Sequence, residues 1–342
     1  MSAPLPPFDG TLSPAPPAGL GWAVRAGWSM LERVRGERTL SILVLHRVHA
    51  RQDPLFPSEL DAARFDRLLA HLAQNFNVMS VGRAARALAA GMLPPRALAI
   101  SFDDGYADHA EVALPLLRRH GLEATFFVCT GFLGGGCMWN DTVIETFRRA
   151  RLESIDLRRL GLGRLPLGSM SQRRAAIDAV LPIAKYRNLD AREELLAVLA
   201  ELAGKPPLPE RLMMDEQQLR AVASAGMEIG AHTVHHPILT EISLSQAERE
   251  IVESRDMLRS LTGSAVDVMA YPNGRPFRDY DAGHVALVRR LGFFAAVSTA
   301  AGAATAGADM FQLPRFTAWD RGLWAWSARL GANASLRTFV TV

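Results

Sequence analysis

Two periodicities divide the chain. Short apolar runs bounded by turn residues, such as Ser41-Ile42-Leu43-Val44-Leu45 and Ala97-Leu98-Ala99-Ile100-Ser101-Phe102, read as buried strands. Longer stretches repeat apolar residues every three to four positions and read as helices, as in 61–74 with Phe65, Leu68, Leu69 and Leu72. Strands are expected at 41–46, 76–80, 97–102, 124–129, 227–231, 266–271 and 293–297. Helices are expected at 22–35, 61–74, 81–90, 107–120, 215–225, 243–261 and 282–291. Such alternation implies an α/β fold with a parallel sheet, open or closed into a barrel. The pattern breaks after Gly134-Gly135-Gly136, where 139–210 is helical, Arg-rich and free of strand signals, an expected insertion. A last extended piece at 311–316 precedes a C-terminal helix with Trp319, Trp324 and Trp326. The expected organisation is a tail and short helix over 1–38, one α/β unit over 39–320 and a C-terminal helix or tail over 321–342.

Composition narrows the class. The 342 residues suffice for one large barrel or two medium domains, and 49% hydrophobic with 21% charged residues suits a large core. Net charge is only +3, and Lys185 and Lys205 are the only lysines. No arginine run is interleaved with aromatics, so no nucleic-acid partner is expected. Cys129 and Cys137 do not form a short metal pair and fit a reducing compartment. Residues 1–20 are rich in Pro, Ser and Ala and are expected to be disordered. They lack a basic start followed by an apolar core, and no apolar run reaches bilayer-spanning length. A cytoplasmic location is the expectation.

The chemistry concentrates in two places. Asp103 and Asp104 end a buried strand, where two adjacent carboxylates need a cation between them or a shared proton. Neighbours on an extended chain point apart, which suggests that one carboxylate binds a metal and the other handles a proton. His232-Thr233-Val234-His235-His236 follows another buried strand in a chain with nine histidines. His232 and His236 are four apart, which would place both imidazoles on one side of a helical turn; His232 with His235 is the competing pair. Two imidazoles and a carboxylate, with Asp104 as the obvious third ligand, are a common catalytic zinc set with one position left for water.

SFDDG at 101–105 and HTVHH at 232–236, with ATFFV at 124–128 and GMEIGAHT at 226–233, resemble the motifs of the carbohydrate esterase family 4 polysaccharide deacetylases, the NodB-like enzymes. The resemblance spans roughly 40–320. It implies a distorted (β/α)7-8 barrel of the NodB-homology type, here with a helical insertion, and a site at the C-terminal strand ends. By position, Asp103 matches the catalytic base, and Asp104, His232 and His236 match the metal ligands. The implied cofactor is a divalent metal, zinc first, with Co2+, Ni2+ or Fe2+ compatible with the same donors. The implied reaction is hydrolysis of an N-acetyl group on an amino-sugar polysaccharide or its glycoconjugate precursor. Membrane contact is expected only if that substrate is lipid-linked.

The chain also departs from the family pattern. The family's acid histidine sits near the C-terminus in a Leu-x-His motif, and no histidine follows Leu313 here. His46, ending the first strand, is the candidate replacement, an arrangement resembling the circularly permuted poly-N-acetylglucosamine deacetylases; a backbone-bonded core histidine is the other reading. Ala270 stands where many members carry an arginine that orients the aspartate. Arg315 is the candidate substitute, against an ordinary surface arginine. Tyr271 would line the pocket or offer its backbone N–H, or else sit in the core. Trp139 and Asp141 would flank a sugar groove, or belong to a packed loop. His109 reads as a helix-surface histidine. Two rivals remain: an amide or ureide hydrolase of the same fold acting on a small molecule, as in allantoinase-like relatives, and a carbohydrate-binding barrel without catalysis.

Overall fold

The computed structural model describes residues 19–317, 322–336 and 338–342. The expected disorder over residues 1–18 and the position of Trp319 lie outside these; Leu20 already opens a helix, α1 (Leu20–Arg35).

Eight parallel strands form one curled sheet: β1 (Leu40–Leu45), β2 (Asn77–Met79), β3 (Ala97–Phe102), β4 (Thr125–Val128), β5 (Glu228–Ala231), β6 (Val268–Ala270), β7 (Ala295–Val297) and β8 (Phe316–Thr317). Their order is β7-β6-β5-β4-β3-β1-β8, with β2 beside β3. β3 shares one edge between two partners, since Ala97–Ala99 pair with β2 and Ser101–Phe102 with β4. Its other edge runs along all of β1. The first and last strands are neighbours: Leu43 pairs with Phe316 and Val44 with Thr317. The opposite edge is drawn in by a bridge between Val297 of β7 and Leu313, which leads into β8. This is the NodB-type (β/α) barrel.

Alternation along β3 explains its burial on both faces. Leu98, Ile100 and Phe102 join one apolar cluster with Phe65, Leu69 and Leu72 of α2 (Ala62–Asn75). Ala97 and Ala99 join another with Leu40, Ile42 and Ala270, covered by Ala84, Ala85 and Leu88 of α3 (Val81–Ala89). A strand covered on both sides reads as a continuous apolar run.

The helix after β3 differs from the expected single helix over 107–120. It begins as a wide π turn at His109–Ala113 before α4 (Leu114–Arg119). Between β4 and β5 stand α5 (Trp139–Arg149), α6 (Met170–Lys185) and α7 (Leu189–Leu202). They share their own core, including Val143, Phe147, Ile177 and Leu199. This segment is not purely helical as expected, because Ser154–Asp156 and Arg164–Pro166 form a small antiparallel ribbon. Both ribbon strands are too short to give a period-2 signal. Next come α8 (Glu216–Ser224), α9 (Leu244–Thr262), α10 (Ala282–Arg290) and α11 (Leu323–Ser335). No helix among the described residues is long and apolar enough to cross a membrane.

Candidate active site

Both motifs reach the same rim because β3 and β5 flank β4 and all three run in one direction. Asp103 follows β3 directly, and its N–H donates to the Leu45 carbonyl at 3.0 Å. The chain then turns through Asp104 at φ 79° and Gly105 at φ 92°. A Cβ on Gly105 would lie 2.9 Å from Val128 Cγ1, so both the dihedral and the space call for glycine. This left-handed step sends the two carboxylates to different partners.

Asp103 meets Arg315. Arg315 Nη1 and Nη2 donate to Asp103 Oδ1 and Oδ2, each at 2.7 Å. Arg315 Nε donates to the Ser298 carbonyl at 2.9 Å, and Nη1 reaches Ser101 Oγ at 3.2 Å. Burial alone would raise the Asp103 pKa, but the Arg315 guanidinium overrides it and holds the carboxyl below its ordinary range. Arg315 is thus buried and paired with Asp103, and the surface reading is excluded.

Asp104 meets the histidines. Its Oδ1 lies 3.5 Å from His232 Nε2 and 3.6 Å from His236 Nε2. That oxygen is buried and has no hydrogen-bond partner. One ligand atom from each of the three residues falls within 4.8 Å of the others. An orphaned buried carboxylate oxygen between two imidazoles fits a divalent ion better than it fits any internal contact. Outer partners orient the set, since His232 Nδ1 donates to the Ala270 carbonyl at 2.8 Å.

The two histidines converge for a different reason from the one their spacing suggested. Residues 232–236 are not a helical turn; Thr233 and His236 take positive φ values of 66° and 52° in a bent loop. Glu250 of α9 holds that loop, accepting from the Val234 and His235 N–H groups at 2.9 and 2.8 Å. Its other oxygen takes His235 Nδ1 at 2.8 Å, so His235 points away from the ligand set. Glu250 gives no local signal in the sequence, because it acts from the next helix.

His46 is exposed on a cleft of about 290 Å³ that it shares with Asp104, Tyr106, Asp141 and Thr317. It is not a backbone-bonded core residue. Its carbonyl accepts from His109 Nε2 at 2.6 Å. His109 therefore lies fully buried behind β1, not on a helix surface. Arg47 beside it pairs with Asp108 and lies 4.4 Å over the Tyr106 ring.

Two expected substrate residues are not in the cleft. Tyr271 is fully buried, its ring stacked on Tyr280 at 4.0 Å and its hydroxyl donating to the Phe311 carbonyl at 3.0 Å. Its backbone N–H is also committed, to the Val297 carbonyl at 3.2 Å. Trp139 is packed into the core of the insertion with the Arg192 guanidinium 5.1 Å over its ring. As the first residue of α5, it faces inward while the next two turn to the cleft. Asp141 does line the cleft. Burial pushes its carboxyl up to about 7 against the pull of Arg47. Tyr106, which the sequence reading passed over, donates to Asp141 at 3.1 Å.

The curled parallel sheet gathers carboxylates and imidazoles at its C-terminal rim, where enzymes built on (β/α) barrels carry their sites. Residues 90–296 match the polysaccharide deacetylase family model, and the chain belongs to that family. Over 102 residues it is 26% identical to YxkH of Bacillus subtilis (strain 168), whose name places it among polysaccharide deacetylases; the match covers 30% of this chain and about a third, 35%, of that relative. Solved structures share the fold. The Streptococcus pyogenes deacetylase PplD in complex with acetate aligns with a TM-score of 0.55 at 20% identity, covering 82% of this chain and 92% of that one. IcaB from Ammonifex degensii aligns at 0.53 and 17%, covering 85% and 97%. The BpsB deacetylase domain from Bordetella bronchiseptica aligns at 0.50 and 18%, covering 82% and 95%.

Proposed function

We propose that this protein is a metal-dependent hydrolase that removes N-acetyl groups from an amino-sugar polysaccharide or its glycoconjugate precursor. The observation that supports it most is the pairing of a buried, partnerless Asp104 Oδ1 between two imidazoles with a neighbouring Asp103 kept ionised by Arg315. Asp104, His232 and His236 would hold the ion, and zinc suits this donor set, with cobalt, nickel and iron sharing it. When bound, such an ion polarises the scissile carbonyl and makes a nearby water more acidic.

The chain's own residues supply the rest. Asp103 retains free lone pairs beside its Arg315 bonds and takes the proton of the attacking water. Arg315 fixes the carboxylate's orientation and opposes its premature protonation. An amide nitrogen leaves poorly unless protonated, and His46, exposed at the end of β1, gives it that proton. The cleft is walled by α5 and by the segment from His49 to Leu60, which leaves space for a sugar unit over the rim.

Acetate release from N-acetylglucosamine monomers, oligomers and lipid-linked forms, with zinc added and with metal chelated, tests the reading. Release from at least one of them that chelation abolishes is expected. No release from any with one equivalent of metal bound would refute it.

A further inference from the structure

Asn140, Tyr106 and Asp141 form a polar relay along the cleft wall that the insertion builds. Tyr106 Oη donates to Asp141 at 3.1 Å, with the second carboxylate oxygen at 3.3 Å. A phenol has a single proton, so Oη must accept from its other neighbour, the Asn140 Nδ2 group at 3.4 Å. That choice fixes the amide, and Asn140 Oδ1 is left buried with no partner. A buried acceptor without a donor is costly unless something arrives to satisfy it.

The relay is also rigid. The Tyr106 backbone is bridged to Met213, and its ring lies under the Arg47 guanidinium, which Asp108 holds. Asn140 and Asp141 sit in the first turn of α5. Asn140 and Asp141 both line the cleft, so the relay offers acceptors there, namely Asn140 Oδ1 and the remaining lone pairs of Asp141; Tyr106 has spent its one proton on Asp141, and one of the two Asn140 Nδ2 protons is spent on Tyr106.

We propose that this relay is a specificity-determining element, accepting hydrogen bonds from a hydroxyl of the sugar ring that carries the acetamide. The inference rests on the deacetylase reading above. It assigns selection of hydroxylated ring amides over simple amides and esters to α5 and Tyr106, separate from the groups that cleave the bond. Sites built to bond a substrate hydroxyl discriminate strongly against analogues lacking it, because their own buried acceptors are then stranded.

The test compares acetate release from an N-acetylglucosamine trimer with release from an aryl acetate. Asn140→Ala is expected to lower kcat/KM on the trimer roughly 10- to 100-fold, chiefly through KM, and to change the aryl ester less than about threefold. Tyr106→Phe should lose less in the Asn140→Ala background than alone, since both act through one relay. Wild-type protein, needing no variant to fold, should show at least one deoxy-sugar analogue of the trimer slowed roughly 100-fold. Equal losses on both substrates, or deoxy analogues all as good as the parent, would overturn the relay's role and leave the deacetylase reading standing. A wild type that cleaves the aryl ester and no acetylated sugar would overturn both.

Discussion

Asp103 and Arg315 stand 212 positions apart and meet through two parallel bonds of 2.7 Å. The contact exists because β1 lies between β3 and β8 in the sheet. Asp103 follows β3 and Arg315 precedes β8, and the long arginine side chain reaches past Ser101, whose Oγ lies 3.2 Å from Nη1, to the carboxylate. In the proposed mechanism Arg315, from the far end of the chain, takes the part of the arginine that Ala270 replaces. Arg315→Ala should lower kcat for amide cleavage by about 10²-fold or more and destabilise the fold by about 3–5 kcal/mol, the usual result of stranding one member of a buried pair. Arg315→Lys should recover part of the stability and little of the turnover, because a lysine cannot span both oxygens. Calorimetry with steady-state acetate release would check this; full activity in Arg315→Lys would show that bidentate geometry is unnecessary.

His46 is assigned the proton for the departing amine. His46→Ala should therefore lower kcat on acetamides by about 10²- to 10⁴-fold and on activated aryl esters far less, since a phenolate leaves unaided. Rates on the two substrate types measured side by side decide the matter. Equal losses would remove His46 from the acid role.

Glu250 holds the loop that carries His232 and His236 without a hydrogen bond to either imidazole of that pair. Glu250→Gln keeps the shape and weakens acceptance from two N–H groups. Metal affinity should fall about 10- to 100-fold, as when other outer partners are altered. A competition titration with a chromophoric chelator reads this directly, and an unchanged affinity would mean that the loop is held by Thr233 and its strand contacts alone.

Asp141 makes the stability depend on pH. Its folded pKa, about 7, stands above the ordinary 3.8, so the folded chain binds that proton more tightly than the unfolded one. The associated stabilisation is complete below about pH 4 and is lost as pH rises through about 7. The metal-free wild type should lose more Tm between about pH 5 and about pH 8 than Asp141→Asn does. Parallel Tm curves would contradict the assignment.

Much of this was legible in the chain because strand runs and turn residues are local signals. The β3 run ends at Phe102 as its apolar pattern requires, and Asp103 and Asp104 follow it. The positions of Arg315 beside Asp103 and of His46 on the cleft were reachable because the strand order of a closed barrel makes first and last strands neighbours. What escaped depends on tertiary contact. The rings of Tyr271 and Trp139 carry no mark of which way they face, and both turned inward. His232 and His236 converge through positive-φ turns and a glutamate on α9, not through helical spacing. Tyr106 acquires its place only when α5 brings Asp141 to it.

The central claim is that Asp104, His232 and His236 jointly grip one divalent ion beside a carboxylate that is not a ligand. Zinc binding by isothermal titration, with elemental analysis of the dialysed protein, measures it in wild type, Asp104→Ala, His236→Ala and Asp103→Asn. One ion per chain in wild type and in Asp103→Asn, with binding weakened at least about 100-fold in the other two, is the predicted result. Equal zinc content in all four proteins would contradict it.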